Sequence, residues 1–147
     1  MKNKKVKNEK YPVLVDIKKL KEHEEIDQKY LEKLTKRIKS DGILKKPIVA
    51  DRKTFVVLDG VHRLNALKNI GCKKIPVIFV NYRSPSIKVS SWRKGEKISK
   101  EKVIKAGLSG EKLPPKTSKH MVKVEKKFKH ISFLEKKVNF SLKKLKI

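Results

Sequence analysis

Cysteine is nearly absent: Cys72 stands alone in 147 residues. A single thiol excludes an intramolecular disulfide and any zinc site built from several cysteines. Acidic residues are scarce, 15 against 41 basic ones, and only five of the basic residues are arginine (Arg37, Arg52, Arg63, Arg83, Arg93). Surfaces that read base edges lean on Arg and aromatic side chains, and aromatics make up just 6% of this chain. The net charge of +26 therefore reads as a solvated Lys surface that holds nucleic acid only non-specifically. No apolar run approaches the ~18 residues of a membrane span, so no membrane partner is expected. The Lys-rich start lacks an apolar signal core, which points to the cytoplasm. Six Gly and six Pro exclude a low-complexity chain, and Lys-, Glu- and Ile-rich, Gln-poor usage is a thermophile signature. Nothing in the composition fixes an oligomeric state.

The apolar share, 37%, suffices for one core, and the length suits roughly one domain. Residues 1–10 read as a flexible lead. Residues 11–17 read as a first strand, followed by a polar loop that carries His23, Glu24 and Glu25. Asp27 is a plausible cap for a helix through Ser40, with Leu31, Leu34 and Ile38 on its apolar face and Asp41-Gly42 as its stop. A hairpin follows, with strands at 45–50 and 54–58. A further strand spans 75–80, with Pro76 suggesting an edge or early position. Another is expected near 87–89. Ser99 caps a short helix over 100–106 that Gly107 closes. Residues 108–120 read as a donor-rich loop stiffened by two prolines, and the pattern beyond Met121 fits helix or strand equally.

The chain is organised around residues 56–67, where a buried strand meets Asp59-Gly60 and then a helix running to Ile70. A turn that opens directly into a helix leaves backbone N–H groups free at the positive end of the dipole, which is a ready anion site. Arg63 has the fork to grip phosphate oxygens, and His62 is able to donate or transfer a proton. Asp59 repels phosphate unless a metal or a substrate proton mediates. With the carboxylates at 24–25 and the donors at 116–120, this turn suggests phosphoryl transfer, which needs phosphate positioning and a base for the attacking hydroxyl. Each cluster taken alone also fits a solvated loop. No Gly-x4-Gly-Lys loop is present, so any nucleotide site has another design.

The ordered motifs Gly-Ile-Leu-Lys-Lys-Pro-Ile-Val, Val-Leu-Asp-Gly-Val-His-Arg-Leu-Asn-Ala-Leu and Gly-Cys-Lys-Lys-Ile-Pro-Val resemble the ParB/sulfiredoxin superfamily over about residues 11–82. The resemblance implies an α+β fold, a small mixed sheet with helices packed against it, plus a short C-terminal extension. Residues 11–82 would be the nucleotide-binding core. Residues 83–147 would be a substrate-binding extension and Lys-rich tail within the same compact unit. Sulfiredoxins carry a catalytic Cys where this chain has Val61. The partition-type branch adds a helix-turn-helix that residues 83–147 do not display. It stays the alternative, as a DNA- or nucleotide-binding partition or regulatory protein.

The chain most resembles the free L-serine kinases, through His23-Glu24, Asp59, Ser91-Trp92-Arg93, residues 106–110 and Pro114-Pro115-Lys116-Thr117-Ser118-Lys119-His120. That resemblance implies transfer of a nucleotide's terminal phosphate to L-serine, giving O-phospho-L-serine for cysteine synthesis. ATP is the favoured donor and ADP a possible one, with Mg²⁺. Glu24 would be the catalytic carboxylate. Asp59 would assist at the hydroxyl or hold Mg²⁺. Gly60, Val61, His62 and Arg63, with Lys46 and Pro47 alongside, would hold the phosphates. Trp92, Lys116, Thr117, Ser118, Lys119 and His120 would close over the serine. The superfamily members of this kind are longer than this chain.

Overall fold

In the computed structural model, which describes residues 11–147, the apolar runs near residues 48–58 and 75–80 form the interior of a four-stranded sheet. Its strands are β1 (Val13–Asp16), β3 (Ile48–Asp51), β4 (Val57–Asp59) and β5 (Lys74–Val80), in the order β1-β5-β3-β4. A short β2 (Ile43–Leu44) lies outside it. β3 runs parallel to β5 and antiparallel to β4. The strands look continuously apolar in sequence because both faces are covered. Ile48, Ala50, Val57, Val77 and Phe79 pack on one side with α1 (Gln28–Asp41) and α2 (Val61–Ile70). Val49, Val56, Leu58, Ile78 and Val80 pack on the other with Ile87, Val103, Val122 and Ile131. These last four come from β6 (Ile87–Ser91), α3 (Lys100–Ser109), β7 (Ser118–Val124) and the 3-10 turn Ile131–Leu134. With β8 (Lys127–His130), β6 and β7 form a three-stranded meander. The expected C-terminal extension thus shares a core cluster with the sheet.

Local signals set the element ends. The Asp27 side chain accepts from the Lys29 and Tyr30 amides and starts α1, and Gly42, at φ 72°, ends it. Leu31, Leu34 and Ile38 are its buried residues, as the spacing predicts. The strand expected at 54–58 begins only at Val57, because Phe55 takes φ 65° and the β3–β4 register shifts at a bulge. Pro76 lies near the start of β5, but β5 is an interior strand. Gly107 does not close α3. The helix continues to Ser109 and stops at Gly110. Ser118–His120, expected as loop, begins β7. The ambiguous tail resolves into the β7–β8 hairpin, then β9 (Phe140–Ser141), which pairs with β2, and α4 (Leu142–Leu145). Leu142 and Leu145 of α4 return to the first core cluster. The lead at 1–10 lies outside the described residues.

Gly107 has a packing role instead. A Cβ built there would sit 2.6 Å from one methyl of Val56 and 2.9 Å from the other. Alanine is intrinsically better in a helix by about 1 kcal/mol, while overpacking a tight core costs about 1–3 kcal/mol. Gly107→Ala is therefore expected to lower stability in chemical denaturation; a gain would contradict the close approach of α3 to the sheet.

Candidate active site

Glu24 owes its place to backbone pairing on both sides of its loop. Lys21 exchanges hydrogen bonds with the strand around residues 55–57: its amide donates to the Phe55 carbonyl at 2.9 Å, and its carbonyl accepts from Val57 at 2.8 Å. On the other side, Glu25 N–H donates to Leu113 O and Leu113 N–H to His23 O, both at 2.8 Å. The Glu24 carboxylate then faces the start of β7. It accepts from the amides of Thr117 and Ser118, each at 3.2 Å, and from the Ser118 hydroxyl at 2.5 Å. Burial alone would push its pKa up. The contacts from His23 and Ser118 outweigh that and hold the carboxyl below its usual range.

The N-terminus of α2 lines the same cleft as Glu24. Gly60 (φ 103°) precedes the helix, and no side chain caps it. The close approach requires glycine, since a Cβ would run into Ile48. His62 Nε2 accepts from the Asp27 amide at 2.9 Å. A ring whose Nε2 accepts carries its proton on Nδ1 when neutral, and burial pushes the His62 pKa down. Arg63 turns inward. Its Nη1 donates to the Pro47 carbonyl at 2.9 Å, and its Nη2 lies 2.9 Å from Glu135 and 3.3 Å from Asp59. Pro47 thus meets the site through Arg63 and does not line the cleft.

Glu135 is the residue the sequence reading missed. It follows the 3-10 turn Ile131–Leu134 and packs against Asp59 and Arg63 with a side chain 1% exposed. Burial, then the neighbouring Asp59 carboxyl, push its pKa up to about 9 against the pull of Arg63. Two carboxyl groups in contact share a proton in preference to both ionising. Its only sequence signal is that it is one of two acids among the ten lysines of residues 119–147.

Between these walls runs a cleft of about 850 Å³. Glu24, Asp59, Gly60, Val61, His62, Arg63, Lys46, Trp92, Lys116 and Ser118 all line it, so the structure brings most of the expected site residues together. Thr117, Lys119 and His120 stand behind it. The Thr117 hydroxyl donates to the Pro114 carbonyl at 2.6 Å. The Lys119 ammonium lies 4.8 Å over the Trp92 ring. His120 is buried against the Tyr82 hydroxyl at 2.8 Å, and burial pushes its pKa down to about 3. The far end of the cleft is lined by Leu34, Ile38, Ile43 and Leu44, with Arg37 and Asp41 at the rim. Its apolar floor suits a flat heterocycle.

For a metal, Asp59 is the donor that faces the helix end. Among the described residues no group of three or more His, Cys, Asp or Glu side chains gathers around a common point. Magnesium in phosphate-transfer sites commonly uses one or two carboxylates, with phosphates and waters completing the shell. The single Asp59 fits that pattern and no all-protein cage.

The sheet and the strand–turn–helix define an α+β protein with a cleft at the uncapped start of α2. The chain belongs to the ParB N-terminal domain family, whose profile matches residues 2–90. Among curated relatives, it is 38% identical over 85 residues to an ATP-dependent L-serine kinase of Staphylothermus marinus. It is 32% identical over 84 residues to an ADP-dependent L-serine kinase of Thermococcus kodakarensis. These matches cover 55% and 54% of this chain but only 34% and 35% of those relatives, so the aligned stretch spans about a third of their length. A solved free serine kinase in complex with AMP has the same fold. The TM-score is 0.78, covering 93% of this chain and 94% of that one, at 17% identity. No helix among the described residues is long and apolar enough to cross a membrane.

The state of Glu135 is testable by pH. The folded chain keeps its proton up to about pH 9, whereas an unfolded chain releases it near 4.5. Between those values the unfolded state binds fewer protons, so this group makes stability fall as pH rises. Glu135→Gln mimics the protonated acid. Its Tm relative to the parent is expected to rise between about pH 5 and pH 8.5. A constant difference across that range would show that Glu135 is ionised throughout.

Proposed function

We propose that this chain is a free L-serine kinase that transfers the terminal phosphate of a nucleotide to the serine hydroxyl. The observation that carries the reading is that Glu24 and the N-terminus of α2 line one cleft. A phosphoryl transfer asks for a carboxylate within reach of the attacking hydroxyl and a fixed positive field at the phosphates. Glu24 supplies the first. The free N–H groups of α2, with Lys46 and the Nδ1–H of His62, supply the second. Arg63 acts mainly from behind, anchoring Asp59 and Glu135. Asp59 would hold Mg²⁺ together with the phosphates, and the metal would neutralise charge developing on the transferred group.

The substrate end of the cleft is the wall formed by Trp92, Lys116 and Ser118. The Lys116 ammonium suits the serine carboxylate, and Trp92 offers a lid surface. Thr117, Lys119 and His120 support that wall: Thr117 through its amide on Glu24, Lys119 on Trp92, His120 under His23. The curated relatives include both ATP- and ADP-dependent serine kinases. Each nucleotide presents a terminal phosphate to the same helix end, and ATP is the donor favoured here. Phosphoserine so made would serve cysteine synthesis in the cytoplasm.

A second reading has its own support. A ParB-like protein of Sulfolobus acidocaldarius is 31% identical over 80 residues, and the net charge of +26 invites nucleic acid. Incubating the full chain with L-serine, nucleotide and Mg²⁺ separates the two. The kinase reading expects phosphoserine. No phosphoserine, with sequence-selective duplex binding that survives about 0.2 M salt, would favour the partition-type reading. Glu24→Gln is expected to lower kcat by at least about 100-fold while nucleotide affinity stays within about twofold. Near-parental turnover in that variant would remove Glu24 as the base.

A further inference from the structure

Glu24 belongs to a hydrogen-bonded chain whose far end, His23, the kinase reading gives no chemical role. The Ser118 hydroxyl lies 2.5 Å from Glu24 Oε2 and 2.8 Å from His23 Nε2. His23 Nδ1 lies 2.9 Å from the Val57 carbonyl. A carbonyl only accepts, so Nδ1 carries a proton, and in the neutral ring Nε2 is a lone pair aimed at Ser118. Ser118 has one proton and faces two acceptors. The three groups together are therefore one proton short of full satisfaction.

We propose that His23, acting through the Ser118 hydroxyl, stores the proton that Glu24 removes from the substrate. This inference rests on the kinase reading. The serine Oγ–P bond forms as the nucleotide's bridging O–P bond breaks, and the leaving nucleotide keeps that electron pair. The serine hydroxyl proton passes to Glu24. Glu24 passes a proton to Ser118 Oγ, and the original Ser118 proton moves to His23 Nε2. The end state is an imidazolium that donates to Val57 O and Ser118 Oγ, while Ser118 donates to the Glu24 carboxylate. Once the products leave, the stored proton returns through Ser118 and Glu24 to water in the cleft, and the next turnover begins from the neutral ring. His23 Nε2 lies 3.4 Å from Glu24 Oε2, so the new charge pair forms in contact.

The surroundings favour this role. His23 lines the cleft but is only 4% exposed, which limits exchange of the proton with water. From β7, His120 meets the His23 ring edge-on with centroids 5.8 Å apart. His120 stays neutral through burial and bonds to Tyr82, so it neither repels an imidazolium nor competes for the proton. Despite its burial, Glu24 is held below its usual range by contacts from His23 and Ser118. An imidazolium at His23 is the form that holds it there, so the end state of the transfer is the one these contacts favour. His23 touches no substrate atom and is a positioning residue.

Ser118→Ala cuts the chain while leaving the buried His23 in place, and Ser118→Thr keeps the hydroxyl. The full chain with Ser118→Ala is expected to lose at least about tenfold in kcat, and Ser118→Thr to retain most of kcat. In Ser118→Ala the acidic limb of kcat/KM also moves to higher pH, because Glu24 loses a donor that holds its pKa down. Ser118→Ala at parental kcat, or Ser118→Thr falling equally, overturns the relay alone. A parental chain that forms no phosphoserine overturns the kinase reading and the relay together. Ring-nitrogen NMR gives a readout free of turnover: the relay expects a resting His23 protonated at Nδ1 alone, and a resting ring protonated at Nε2, whether neutral or as an imidazolium, overturns it.

Discussion

The Glu24 carboxylate joins two parts of the chain that are more than ninety residues apart. One oxygen accepts from Thr117 N–H and the other from the Ser118 amide and hydroxyl. A buried carboxylate is costly unless donors meet it, and these donors exist only where β7 begins. The clasp therefore fixes the three-stranded meander against the loop before α1. It also closes one wall of the cleft. Removal of the carboxylate would strip the partners from two backbone amides and a hydroxyl.

The other wall depends on a second charge arrangement. Arg63 is held by Asp59, Glu135 and the Pro47 carbonyl. One guanidinium beside two carboxyls leaves the set short of positive charge, and a proton makes up the difference. Asp59 thereby meets the cleft from a rigid position at the end of β4, beside the uncapped start of α2. A phosphate cradle with a carboxylate at its lip is poorly suited to anion binding alone. It suits a site where a cation or a hydroxyl arrives together with the phosphate. The family membership covers the strand–turn–helix that carries this wall, whereas Glu135 lies outside the matched residues 2–90.

Much of the architecture was legible because it rests on local rules. Asp27, Gly42 and Gly71 mark helix ends through capping and left-handed turns, and the apolar runs mark strands buried on both faces. The misreadings have physical causes. Gly107 looks like a stop but is a contact point, which only the tertiary approach of Val56 reveals. The tail lacks a decisive period because Lys alternates with apolar residues at both spacings, so pairing with β6 decides its form. In the site, Glu24, Lys46, Asp59–Arg63, Trp92, Lys116 and Ser118 line one cleft, whereas Pro47, Thr117, Lys119 and His120 do not. Side-chain direction was not legible: Arg63 points inward, and His120 and Thr117 face the core. Glu135 was invisible because its role depends on a fold-back of the tail that no local pattern encodes.

The central claim is that the base and the phosphate cradle face each other across one cleft. A crystal structure of the full chain with L-serine and a non-hydrolysable nucleotide analogue tests it directly. The account predicts the serine hydroxyl within hydrogen-bond distance of Glu24 and the terminal phosphate on the backbone amides at the start of α2. Phosphates bound away from that helix end, or serine seated out of reach of Glu24, would contradict it.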